Sequence, residues 1–204
     1  MARPAAGEQG DVRRRNVEAF LDAAERLLVE VGYAGITTRR LAAEARLNPG
    51  LVHYYFGAME EVLVQVGERF TERLTERQRA MYAREVPFLE KWRTAMRYLE
   101  EDLAAGYPKV FFELSALGWN RPELQERVRA LNARWRAILS DAFTRAADEY
   151  GLPREDFPVE VLVSLAMTFQ QGVHLERLSG IREGHDALLA WIDRWLVSLQ
   201  RNAQ

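Results

Sequence analysis

Residues 36–61, ITTRRLAAEARLNPGLVHYYFGAMEE, constrain the fold more tightly than any other stretch of the chain. They read as two short helices joined by a tight turn. Thr37 sits where a helix N-cap belongs, and the residues after it, as far as Ala45, form one amphipathic helix through Leu41 and Ala45. Arg46, Leu47 and Asn48 make the turn. Asn48 can cap the next helix with Pro49 at its first position, where the missing N–H costs nothing. That helix runs to about Tyr55, buries Val52 and Phe56, and is broken by Gly57. A capped helix pair of this kind can lay its second member into the major groove of DNA.

The flanking sequence is helical throughout. Residues 1–10 contain Pro4, Gly7 and Gly10 without periodicity and read as a flexible tail. From about residue 11 to Val31, Phe20, Ala24, Leu27, Leu28 and Val31 keep helical spacing, and Gly32 supplies a stop. A longer helix is expected over 58–84, followed by helices near 88–105, 108–118, 121–150, 158–179 and 185–201. Within the 121–150 segment, Leu124, Val128, Leu131, Trp135, Ile138 and Ala142 alternate steps of four and three, which suits a bundle seam. Alternating strand patterns and Asn-Gly hairpin turns are missing. The expectation is an all-α chain of about nine helices. It divides into a tail over 1–10, a three-helix helix-turn-helix domain over 11–72, and a larger helical bundle for ligand binding and dimerisation over 73–204.

Composition narrows the function classes. The chain has 204 residues and no cysteine, which excludes disulfides, thiolate catalysis and cysteine-based zinc sites. No apolar run approaches a membrane span and residues 1–12 lack a signal-peptide core, so the expected location is the cytoplasm. His53, His174 and His185 have no spacing that suits a metal site or a catalytic triad. The reading is therefore not an enzyme, with no cofactor and no metal. Net charge is −2, which gives no global sign of a nucleic-acid partner. Phosphate binding needs only local cations, and Arg39, Arg40 and Arg46 face a single acid, Glu44, between residues 36 and 56.

The candidate DNA-contacting set is Thr37, Thr38, Arg39, Arg40, Asn48, Pro49, Gly50, Leu51, His53, Tyr54 and Tyr55. Thr38 and the capped start of its helix can hold phosphate through hydroxyl and backbone N–H groups. Leu51 can meet a thymine methyl, and Tyr54 a base edge or a phosphate. Gly50 lets the backbone approach closely. Arg39 and Arg40 oppose the helix dipole in a first turn where a capping box would place Glu or Gln at position 40. A partner of negative charge accounts for that choice.

Taken together, residues 11–70 resemble the N-terminal three-helix domain of the TetR family of transcriptional repressors. The resemblance is carried by Phe20, Ala23, Ala24, Leu28, Gly32, Tyr33, Thr37, Leu41, Ala42, Ala45, Leu47, Gly50, Val52, Tyr54, Tyr55, Phe56, Glu61 and Val62. It implies a homodimer on a near-palindromic double-stranded operator, repressing transcription until a small molecule binds the C-terminal domain. Three positions depart from the family pattern. His53 stands where a phosphate-binding tyrosine is usual, Tyr55 where histidine is frequent, and Met59 where a lysine commonly touches the DNA. A TetR-type activator, or a helical adaptor that binds protein instead of DNA, is the alternative.

The C-terminal segment is rich in large apolar residues, which fits either a plain bundle core or a central apolar cavity for an apolar or aromatic effector. The candidate ligand-binding residues are Trp92, Met96, Phe111, Phe112, Glu113, Trp119, Trp135, Phe169, Gln170 and His174. The last two helices carry an apolar stripe broader than one partner helix needs. Its candidate dimer contacts are Gly172, Leu175, Leu178, Leu188, Trp191, Ile192, Trp195 and Leu199.

Overall fold

The computed structural model describes residues 6–203, and its described residues form nine α-helices, one short 3-10 turn and no strand. The helices are α1 (Ala6–Val31), α2 (Thr38–Ala45), α3 (Gly50–Phe56), α4 (Met59–Tyr82), α5 (Phe88–Ala104), α6 (Tyr107–Gly118), α7 (Pro122–Glu149), α8 (Val159–Leu178) and α9 (His185–Asn202). The all-α expectation holds, and the helix boundaries fall within a few residues of those read from Gly and Pro punctuation. One difference lies at the start. Residues 6–10, expected as tail, are the first turns of α1, whereas residues 1–5 lie outside the described residues. The run of good helix formers beyond Gly10 extends the helix backwards, despite a cost of roughly 1 kcal/mol for each interior glycine.

The chain separates into two compact units. One comprises residues up to 70 together with 109–127, the other 71–108 with 128–204, so the divisions fall inside α4, α6 and α7. The expected boundary at 72 lies close to the first division. Assigning all of 73–204 to the second domain does not match, because 109–127 cluster with the N-terminal unit.

In the first unit, α1, α2, α3 and the first half of α4 share one core. Phe20, Ala23, Ala24, Leu41, Ala42, Val52, Val64 and Val66 are wholly enclosed. Phe20 meets Phe56 edge-to-face at 6.0 Å and Tyr55 at 6.4 Å, which fixes the rotation of α3. Ion pairs from Arg69 to Asp22 and Glu25 join α4 to α1. The end of α1 is held from α6. Lys109 Nζ donates to the Val29 carbonyl at 3.0 Å, and the Glu113 carboxylate accepts from the Tyr33 backbone N–H at 2.9 Å. Each contact answers a backbone group that the helix terminus leaves open.

The second unit is a bundle of the rest of α4 with α5, most of α7, α8 and α9. Phe88 packs edge-on against Phe143 and Tyr150. The Glu149 carboxylate accepts from the Phe88 N–H at 2.9 Å and so caps the start of α5. The expected α7 seam is buried at Leu124, Leu131, Trp135, Ile138 and Ala142, with Val128 half-buried.

Gly32 makes the sharpest demand on residue type. Its φ of 71° and ψ of 172° are essentially reserved for glycine, and a Cβ there would lie 2.7 Å from Glu113 Oε1. Gly32→Ala is expected to destabilise the protein by about 1–3 kcal/mol, read by thermal or denaturant unfolding. An unchanged midpoint would contradict the assignment.

Candidate functional site

The α2–α3 pair is built by local chemistry. Thr37 Oγ1 accepts from the Arg40 N–H at 3.1 Å, so the N-cap read from sequence is formed. Arg46 closes α2 in the left-handed region at φ 57°, its N–H reaching the Ala42 and Ala43 carbonyls. Asn48 Oδ1 then accepts from the Gly50 N–H at 2.8 Å. The side-chain cap is Asn48, as expected, although the helical hydrogen-bond pattern starts one residue later than Pro49. Glycine at 50 has a local reason: a Cβ there would stand 3.2 Å from that same Asn48 oxygen.

With Val52 and Phe56 turned into the core, α3 presents Asn48, Pro49, Gly50, His53 and Tyr54 to solvent, and Leu51 at the edge. Tyr54 is 70% exposed, a large exposure for an aromatic ring. The Arg13 guanidinium lies 5.9 Å from its ring centroid, which joins the basic start of α1 to this surface. His53 Nδ1 donates to the Gly57 carbonyl at 3.0 Å, a pairing that leaves Nε2 facing outward as an acceptor in the neutral ring. Arg39 is exposed and has no ion-pair partner among the described residues, whereas Arg40 lies 4.0 Å from Glu30. Of the two first-turn arginines, Arg39 is the freer cation.

Tyr55 has a structural role that the sequence reading did not give it. Its hydroxyl accepts from Asn16 Nδ2 at 3.1 Å and its ring packs against Phe20. It braces α3 against α1 and stays half-exposed, with the Arg13 guanidinium 5.4 Å from its ring centroid. The residue is one helical position past Tyr54, and that 100° rotation turns it inward.

The second unit contains a cavity of about 730 Å³ walled by α4, α5, α7, α8 and α9. Trp92, Met96, Trp135, Phe169 and Gln170 line it, as read from the sequence. Phe111, Phe112, Glu113 and Trp119 do not. They belong to the 109–127 segment of the first unit, where Glu113 is engaged by the Tyr33 N–H and Trp119 is 75% exposed. Aromatic content alone misassigned them, since α6 changes unit after Pro108.

His174 is also corrected. It is buried beside α5 but absent from the cavity wall, with a ring hydrogen bond to the Leu99 backbone and Nε2 without a partner. Burial, helped by the nearby Arg177 charge, lowers its pKa from 6.5 to about 4, against the pull of Leu99 and Glu100.

Sequence reasoning missed Gln78, Asp102 and Tyr150 on the wall. Asp102 sits at helical register with buried Ala95 and Leu99, and Gln78 with Thr71, Leu74 and Thr75. That register was the available signal. Asp102 is only 2% exposed and pairs with Arg77. Burial pushes its carboxyl above the ordinary range, while Arg77 pulls it back.

A capped helix-turn-helix whose second helix offers a polar, aromatic outer face, in one chain with a helical bundle that holds a cavity, defines the class: an all-α helix-turn-helix fold. Residues 20–66 match the profile of the bacterial regulatory proteins of the tetR family. Among solved structures, the chain resembles the transcriptional regulator FadR from Bacillus subtilis in complex with stearoyl-CoA at 18% identity and a TM-score of 0.71, over 89% of this chain and 97% of that one. A transcriptional regulator from Saccharomonospora viridis in complex with choline aligns at 19% identity and a TM-score of 0.70, over 93% and 95%. Escherichia coli NemR in its reduced form aligns at 18% identity and 0.66, over 88% and 96%. Comparison with curated protein sequences gave no match. Residues 20–66 thus carry the tetR-family match, and the chain as a whole resembles solved TetR-family transcriptional regulators in fold. Among the described residues no helix is long and apolar enough to cross a membrane.

The His174 shift carries a sign. Because the folded-state value lies below that of the unfolded chain, the unfolded chain takes the proton first as pH falls. The contribution to stability is intact above pH 6.5 and is lost progressively towards about pH 4. Denaturant midpoints for His174→Gln should therefore fall less steeply than wild type across that window. Parallel acid profiles would refute the assignment.

Proposed function

We propose that the protein is a sequence-specific DNA-binding transcriptional regulator that works as a homodimer. In this reading it represses from a near-palindromic operator and is released by an apolar small molecule. The observation that carries DNA binding is the outer face of α3. Asn48, Pro49, Gly50, His53 and Tyr54 stand together exposed, held by a helix that is pinned from its other side by Phe56 and Val52. Side chains on such a face reach base edges, and Thr37, Thr38 and Arg39 at the start of α2 supply phosphate contacts. Arg13, 5.9 Å from the Tyr54 ring centroid, adds a further cation beside this face. Met59 gives none where a lysine is common in the family.

Support for an effector comes from the cavity, whose volume falls in the usual range for small-molecule sites. Its wall is largely aliphatic and aromatic, which favours an apolar or aromatic molecule over a sugar or phosphate. Two neighbours of the fold were crystallised with small molecules, stearoyl-CoA in one and choline in the other. Their different chemistry leaves the effector to be read from this chain's own residues.

Support for a homodimer comes from α8 and α9. Val161, Leu165, Leu175 and Leu178 on α8, and Leu188, Trp191 and Trp195 on α9, are exposed apolar side chains beside the open backbone of Gly172. Trp191 and Trp195 stack in parallel, their rings 6.5 Å apart. Patches of this kind mark interfaces. Ile192 and Leu199 are half-buried and line the cavity, so their share of the interface is smaller.

Two experiments test this reading. In fluorescence anisotropy with operator DNA, Tyr54→Ala should weaken binding by roughly tenfold. Arg39→Ala should reduce the slope of log affinity against log salt by about 1. Unchanged affinity and slope in both would remove α2–α3 as the DNA surface. Trp195→Glu should sediment as a monomer and lose operator binding, and an unaffected dimer would rule out the α8–α9 interface.

A further inference from the structure

The cavity wall says more about its ligand than that it is apolar. Its polar members include Gln78, Asp102, Tyr150, Thr168, Gln170, Glu176 and His185, and among the described residues lining it there is no lysine or arginine. The two carboxylates are already answered within the protein. Asp102 pairs with Arg77, whose guanidinium also stacks on the Tyr98 ring at 3.9 Å. Glu176 meets the His185 ring nitrogen Nε2 at 2.6 Å. Two wall groups are different. The Tyr150 hydroxyl has no hydrogen-bond partner, and Gln78 is more than nine-tenths buried with no hydrogen-bond partner for its side-chain oxygen Oε1, an acceptor that only a donor can answer.

A buried amide oxygen without a donor is costly, and the group that answers it has to come from whatever fills the space it faces. The same wall sets the charge of that occupant. An anion would leave water for a surface that holds two carboxylates and offers it no cation. A cation would lose its hydration for little return, because Asp102 is held by Arg77 and Glu176 is half-exposed to water and hydrogen-bonded to His185. From this we propose that the effector site selects an uncharged, elongated apolar molecule bearing a hydroxyl or amide N–H, which donates to Gln78 Oε1. The proposal rests on the effector reading of the cavity given above.

The test uses probes with one tail and three heads: 1-decanol, decanoate and decyltrimethylammonium, each titrated calorimetrically into the full-length protein. Decanol is expected to bind about tenfold more tightly than either charged probe. Gln78→Leu, which preserves volume, should lower decanol affinity by about the same factor and leave the charged probes unchanged. Its folding is checked by circular dichroism, with Gln78→Met as a second variant of similar shape. Equal or tighter binding of decanoate or decyltrimethylammonium overturns the neutral-ligand assignment while leaving the effector cavity standing. Decanol affinity unaffected in folded Gln78→Leu and Gln78→Met overturns the role of Gln78. If none of the three probes binds, the cavity reading falls together with the proposal.

Discussion

The burial of Phe20 is the constraint on which the DNA-binding domain depends. Its ring is fully enclosed and receives Phe56 and Tyr55 edge-on, both from one face of α3. A helix of seven residues has little stability of its own, so its orientation has to come from tertiary contacts. Once Val52 and Phe56 are locked onto the core, helical geometry leaves His53 and Tyr54 nowhere to point but outward. The caps at Thr37 and Asn48 then set where the two helices begin. The outer face of α3 is thus a consequence of the inner one.

The same reasoning explains how much the sequence made legible. Helix limits were readable because each is enforced by a local rule: a threonine hydroxyl at Thr37, an asparagine oxygen at Asn48, a positive φ at Gly32 and Gly57. The inward faces of α1 and α3 were readable from periodicity. Tyr55 was not, because Tyr54 and Tyr55 are the same residue type at adjacent positions, and only the contacts of Tyr55 with Asn16 and Phe20 separate their roles. The cavity wall was half legible. Trp92, Met96, Trp135, Phe169 and Gln170 lie on it, but Phe111, Phe112, Glu113 and Trp119 fall in the other unit. Gly106 and Pro108 mark where α6 begins, but nothing in the sequence says that the helix changes unit there.

The interior of the second unit differs from a plain hydrophobic core. Thr71, Thr75, Gln78 and Asp102 are buried at positions that periodicity assigns to the apolar stripe. Buried polar groups weaken a core unless they are answered. Thr75 is answered by the Thr71 carbonyl at 2.7 Å and Asp102 by Arg77. Gln78 Oε1 has no such answer, and Gln78 lines the cavity. The exposed stripe on α8 and α9 is the second departure, since Leu165, Leu188, Trp191 and Trp195 are both cavity residues and surface residues. A partner seated on this stripe would also cover that side of the wall. Cavity wall and exposed apolar stripe thus share one set of side chains.

The central claim is that the outer face of α3 reads a DNA sequence. Selection of bound fragments from a random double-stranded library with the purified protein tests it most directly. The account predicts enrichment of a palindrome whose half-sites are spaced by about one helical turn, as a two-fold dimer requires. A selected pool with no shared sequence, or no retained DNA at low salt, would contradict it.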